Sequence, residues 1–154
     1  ELVDAWNESF LAVREIISFQ VKNDIPIFTF NILPMELKEK TNFSLIVDSL
    51  ITFFNHLLSS EIVKKNQIKI SVLGKWYDLP GRLVDSIKNI TMETKDYDKF
   101  FVNFCVNYDG QEELIDSFRI IARKIKSSIL DPDSITKEEI ITPPISSWII
   151  PKLS

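Results

Sequence analysis

From Val3 the apolar residues Trp6, Phe10, Val13, Ile17 and Val21 return at intervals of three and four, which draws one stripe along a helix of about five turns. That helix is already under way at Glu1 with no cap residue before it, so a neighbouring upstream segment is expected. Pro26 to Ile32, with Ile27, Phe28 and Phe30 set between Asn23-Asp24 and Pro34, is short and rich in β-formers and predicts a strand. A polar loop with Glu36, Lys38, Glu39 and Lys40 follows. Between Phe43 and Leu58, Ile46, Val47, Leu50, Ile51, Phe53, Phe54 and Leu57 cover most of a helix circumference. Only Ser44, Asp48, Asn55 and Ser59 remain as a thin polar stripe, so this helix must be covered on more than one side.

Ile68 to Gly74 alternates as a second strand, and Pro80 fits the first turn of a third helix behind Asp78, with Leu83, Ile87 and Ile90 facing inward. Phe100, Phe101, Val102, Phe104, Cys105 and Val106 are almost continuously apolar, the pattern of a parallel strand covered on both faces, with Asn103 its polar interruption. Glu112, Glu113 and Asp116 open the next helix and Arg119, Arg123, Lys124 and Lys126 close it, each sign favoured by the helix dipole. Leu114, Phe118, Ile121 and Ile125 make its expected core stripe. Beyond Leu130 come a turn at Asp131-Pro132, a short helix near Ser134 to Ile140, and a proline-marked segment ending in Trp148, Ile149 and Ile150. Alternating strands and helices predict an α/β fold, an open, mainly parallel sheet with helices on both faces. No repeat or long linker interrupts residues 1–154, which are expected to form a single domain.

Composition narrows the chemistry. The chain has 154 residues, 45% hydrophobic and 26% charged, with a net charge of -4. Lacking a basic cluster, it is not expected to bind nucleic acid. The single cysteine, Cys105, excludes an internal disulfide, and with the single histidine, His56, it leaves no zinc cluster of the usual ligands. Metal chemistry would need carboxylates. The apolar runs are shorter than the roughly 20 residues of a membrane span, and the acidic start lacks the basic residues of a signal peptide, so a cytoplasmic protein is expected.

Gly74, Gly81 and Gly110 stand too far apart for a glycine-rich phosphate loop. Glu112-Glu113 resembles an acid–base pair, but neighbours on a helix diverge by about 100°, and carboxylates suit a helix N-terminus for electrostatic reasons alone. Cys105, inside an apolar strand, reads as a small core residue, and His56 reads as a surface residue beside the polar stripe of its helix. Lys64-Lys65 and Lys38 read as solvated charges. The over-apolar helix with the aromatic strands supports two readings, a thick core or the wall of a greasy cavity for an extended hydrocarbon.

The run from Ile68 to Gln111 is similar to the cis-prenyltransferases, the isoprenyl or undecaprenyl diphosphate synthase family. Val72-Leu73-Gly74-Lys75 and Leu79-Pro80 resemble the family's strand ending in Ile-Gly and its Leu-Pro helix start. Glu93-Thr94 resembles its Glu-x-x-Thr helix end. Val102-Asn103-Phe104-Cys105-Val106-Asn107-Tyr108-Asp109-Gly110-Gln111 stands beside a family strand running Leu-Asn-x-Ala-x-x-Tyr-Gly-Gly-Arg, with Asp109 and Gln111 where glycine and arginine are usual. Glu113 matches a commonly acidic position. Upstream, Asp24 to Phe30 resembles the Gly-Ile-x-x-x-Thr-x-Tyr strand with Thr29 aligned. A gap-free continuation sets Glu36 on the glutamate of the Ser-x-Glu-Asn loop and Lys40 on its Arg-Pro arginine, although Leu37 and Thr41 replace the asparagine and proline. The chain is thereby similar to the central part of the family fold. It contains neither an Asp-Gly-Asn-Arg loop, which supplies the family's magnesium-binding aspartate, nor an Arg-x-x-Gly-Glu segment.

The resemblance implies a magnesium-dependent transferase that condenses isopentenyl diphosphate with an allylic diphosphate into a cis-polyprenyl diphosphate. By the same resemblance Glu36 and Lys40 are candidates for the diphosphate side of the site, and Leu50, Phe53, Phe54 and Phe100 for a tunnel around the growing tail. Dimers, contact with a membrane surface, and little turnover by this polypeptide alone are also implied. A non-catalytic partner subunit of the same fold, or a small lipid- or protein-binding α/β module, are the alternatives.

Overall fold

The computed structural model describes residues 2–39, 41–137 and 139 of the chain. The chain divides into two compact units, the first running through Tyr108 and the second starting at Asp109. In the first unit the order is α1 (Leu2–Lys22), β1 (Ile27–Pro34), α2 (Phe43–Ser59), α3 (Glu61–Lys65), β2 (Ile68–Leu73), α4 (Gly81–Glu93) and β3 (Phe100–Tyr108). Two short 3-10 helices, Met35–Glu39 and Trp76–Asp78, leave the C-terminal ends of β1 and β2. The first of these replaces the expected polar loop. The second takes up Asp78, so that Pro80 stands just ahead of α4 rather than inside its first turn.

The three strands are parallel in the order β1-β3-β2, giving the open parallel sheet with helices that the alternation predicts. β3 lies in the middle, which is why its sequence is the most apolar. Phe104 faces Phe30 on one neighbour and Val72 on the other. The β1 ladder slips between Asn31 and Leu33, and Ile32 and Leu33 are buried side by side, which strict alternation does not permit.

One contiguous core joins this sheet to the helices. Phe10, Val13 and Ile17 of α1, the apolar rows of α2 and α4, and Val63 of α3 meet Ile68, Ile70, Val72, Phe100, Val102, Phe104 and Val106. α2 buries one broad face, carrying Ile46, Val47, Leu50, Phe53, Phe54 and Leu57, rather than several sides as its composition suggested; Leu45 is 48% exposed, and Ser44, Asp48, Asn55 and His56 stay exposed. Asp48 pairs with Arg82 and so links α2 to α4 at the surface. Cys105 is buried and Asn103 donates from Nδ2 to Thr29 Oγ1 at 3.3 Å.

Polar groups fasten the helices to the strands at two buried points. Gln20 of α1 donates from Nε2 to the carbonyl of Phe101 at 3.1 Å. Thr94, wholly buried at the end of α4, accepts the backbone N–H of Ile70 at 3.1 Å and donates to the Ile90 carbonyl at 2.9 Å.

The second unit holds α5 (Gly110–Lys126), where Asp109 accepts the Gln111 N–H at 2.8 Å as an N-cap, and a 3-10 turn, Pro132–Ser134, capped by Asp131. Here one expectation is corrected. Leu114 and Phe118 are 45% and 56% exposed, and the buried row is Ser117 and Ile121. Both rows satisfy a helical period and share Ile121, so hydrophobicity alone selected the wrong one. Of the helix expected from Ser134 to Ile140, Ser134 belongs to the 3-10 turn, Ile135 and Thr136 are not helical, and Lys137 and Glu139 are; residues 138 and 140, and the segment with Trp148, Ile149 and Ile150, lie outside the described residues.

Thr94→Val keeps the shape of the side chain but strands the Ile70 N–H in an apolar setting. We expect it to lower unfolding free energy in urea by about 1–3 kcal/mol. Thr94→Ser, which retains the hydroxyl, should lose clearly less in the same titration.

Candidate functional site

In an open parallel sheet, ligands enter where the strands end at their carboxyl side. Here that edge is assembled by Pro34 and the 3-10 helix after β1, by Gly74 and Lys75 after β2, and by Asn107 and Tyr108 at the end of β3. Two residues in left-handed backbone shape it. Gly74 has φ +101°, and a Cβ there would run into the Val106 carbonyl oxygen, so the β2 end can lie against β3 only as glycine. Asn107 has φ 51°, a conformation asparagine tolerates better than most residues.

These two strand ends are clasped reciprocally. The Lys75 N–H donates to the Asn107 carbonyl at 3.1 Å, and Asn107 Nδ2 donates to the Lys75 carbonyl at 2.8 Å. Asn107 is 3% exposed, and its Oδ1 has no hydrogen-bond partner. A buried carboxamide oxygen left open in this way is an acceptor suited to a water or a donor on a bound molecule.

The anticipated site residues fall in different places. Glu36 lies exposed in the 3-10 helix that leaves β1, at the carboxyl edge of the sheet. Lys40 falls outside the described residues. Leu50, Phe53, Phe54 and Phe100 are all core, with exposures from 0% to 5%. Phe53 stacks on Phe10 with ring centroids 4.5 Å apart, and Phe53 and Phe54 set their edges against Phe104 at 5.5 and 5.7 Å. For a hydrocarbon tail to run through this cluster, the rings of Phe10 and Phe53 must part. Among the described residues no three His, Cys, Asp or Glu side chains are grouped to hold a metal ion. No helix of the described residues is long and apolar enough to cross a membrane.

Sequence reasoning did not single out Asn107 or Lys75 for this edge. A glycine and an asparagine, each able to take positive φ, at the ends of two apolar strands were the available signal.

Residues 2–150 match the prenyltransferase family model of undecaprenyl diphosphate synthases, and the chain belongs to that family of cis-prenyl diphosphate synthases. Among curated relatives, the tritrans,polycis-undecaprenyl-diphosphate synthase (geranylgeranyl-diphosphate specific) of Methanocaldococcus jannaschii is 33% identical over 96 residues, 60% of this chain and 34% of the relative. The enzyme of the same name from Thermoplasma volcanium is 30% identical over 133 residues, 82% of this chain and 50% of the relative. The chain thus spans half or less of these two relatives. Its fold is similar to that of lavandulyl diphosphate synthase from Lavandula x intermedia, solved with dimethylallyl diphosphate, at a TM-score of 0.81 and 20% identity, over 91% of this chain and 60% of that one.

The clasp makes a graded prediction. Asn107→Gly retains the left-handed backbone and loses the side-chain bond. Asn107→Ala loses both and should be less stable than the glycine variant by about 1 kcal/mol. Gly74→Ala should cost about 2 kcal/mol or more, since backbone strain and the collision with Val106 add. Denaturant titrations in which the alanine variants match the wild-type chain would refute this account of the edge.

Proposed function

We propose that the protein containing these residues joins isopentenyl diphosphate to an allylic diphosphate, extending it by one cis isoprene unit at a time into a polyprenyl diphosphate. The supporting observation is the family match over residues 2–150, laid on a parallel sheet whose carboxyl edge is built from strained, clasped strand ends. In this reading the allylic C–O bond ionises, the isopentenyl double bond attacks the cation, and a proton is lost to leave the new double bond. The diphosphates lie at the carboxyl edge of the sheet near Glu36. Lys40 offsets diphosphate charge with a compact ammonium in place of an arginine fork. The tail lies against Leu50, Phe53, Phe54 and Phe100, whose apolar surfaces exclude water from the cation.

Cis-prenyltransferases as a family depend on magnesium, whose charge stabilises a departing diphosphate. Among the described residues no three His, Cys, Asp or Glu side chains are grouped, so a magnesium ion bound there would be held by one or two carboxylates together with the diphosphate oxygens of the substrate. The same reading carries a cytoplasmic protein working at a membrane surface as a homo-oligomer or with a related chain.

Geranylgeranyl diphosphate, which the archaeal relatives are named for, is the test ligand. At a hundredfold excess over its dissociation constant it should stabilise the chain by about 2.7 kcal/mol and raise Tm accordingly. Inorganic diphosphate at the same molar concentration should do less. Phe53→Ala should abolish the difference between the two ligands. No shift with the prenyl compound would remove the tail-binding part of the reading. In a radiolabelled isopentenyl transfer assay these 154 residues alone, which contain no Asp-Gly-Asn-Arg motif, should give little or no product, and clear product would refute that expectation.

A further inference from the structure

A concavity lies at the other end of the first unit. Its volume is about 330 Å³, and it opens between the C-terminal halves of α2 and α4 with α3 at its side. Thr94 is part of its lining and takes the N–H of Ile70 near the start of β2, so this cleft sits at the amino end of the sheet, away from Gly74 and Asn107. Its size is at the lower bound for small-molecule sites.

The lining holds charged groups of both signs that are not spent on one another. Lys64 comes from α3 and Glu93 from the last turn of α4. Among the described residues neither makes an ion pair or a side-chain hydrogen bond, although Lys65 next door pairs with Glu61. The carboxamides of Asn55 and Asn89, facing the same space, are likewise uncommitted among the described residues. Leu58 and the ring of Tyr97, both partly buried, supply its apolar surface. α2 ends at Ser59 and α4 at Glu93, both at the rim, so the partial negative charge of two helix C-termini adds to the carboxylate.

We propose that this cleft binds a small zwitterion of the α-amino acid class with an apolar side chain. The ligand's carboxylate meets Lys64, and its ammonium meets Glu93 in the negative field of the helix ends. The two carboxamides supply further donors and acceptors, and the side chain rests on Leu58 and Tyr97. A purely cationic or purely anionic ligand leaves one of the two charges facing the cleft unanswered. This inference does not rest on the prenyl-transfer reading, and its test involves no diphosphate.

The experiment is calorimetric titration of the chain with L-leucine, with leucinamide, which has no carboxylate, and with N-acetylleucine, which has no ammonium. Leucine should bind in the millimolar range and at least about fivefold more tightly than either analogue, since charge-assisted hydrogen bonds are the stronger kind. Lys64→Met should erase the preference over leucinamide, and Glu93→Gln the preference over N-acetylleucine. Both positions are exposed, so the variants should fold as the parent does. Absence of leucine binding at tens of millimolar overturns the proposal. So does equal binding of the three compounds, or a preference that survives both substitutions.

Discussion

Phe104 is the point on which the first unit is assembled. Its ring stacks on Phe30 of the neighbouring strand at 5.6 Å and receives the edges of Phe53 and Phe54 from α2. It is wholly buried in the middle strand, so one side chain ties α2 to a pair of strands whose spacing the backbone ladder already sets. Truncating a buried phenylalanine costs about 3–5 kcal/mol in general, and here the loss would fall on sheet and helix together. α1 is drawn into the same arrangement through Phe10, which stacks on Phe53.

With the strands held in this way, their carboxyl ends carry the conformations that packing elsewhere must stabilise. Gly74 and Asn107 are both left-handed, and the two hydrogen bonds between Lys75 and Asn107 keep those ends together. An edge of this kind is held in one shape before any ligand arrives. The aromatic layer just beneath it is a closed core in the present arrangement. Under the proposed function, a tail passing through it would require a change in ring packing around Phe53, a cost that binding energy from the prenyl chain would have to offset. The cleft near Lys64 and Glu93 shares no lining residue with that layer.

The family was legible because its marks are local. Gly74, Leu79-Pro80, Thr94 and the run from Asn103 to Tyr108 occupy sharp backbone features or buried positions where few residues fit. Thr94 shows why one such mark has meaning, since its hydroxyl joins the end of α4 to β2. α3 was not visible, because five residues give too short a period to register. Leu114 and Phe118 were misplaced because an amphipathic stripe states its direction only once the surface it faces is known.

What the sequence determined by itself was the type and order of the three strands and the long helices. Periodicity of 3.6 or 2, an apolar central strand and helix-end charges all depend on neighbours within a few residues. Tertiary structure alone decided the strand order β1-β3-β2, the ladder slip that buries Ile32 beside Leu33, and the pairing of Asn107 with Lys75 across 32 positions. Contacts between distant segments depend on how the whole chain closes, and no local pattern records that. The opposing charges of Lys64 and Glu93 face one cleft for the same reason: three helices had to pack before the two could share a space.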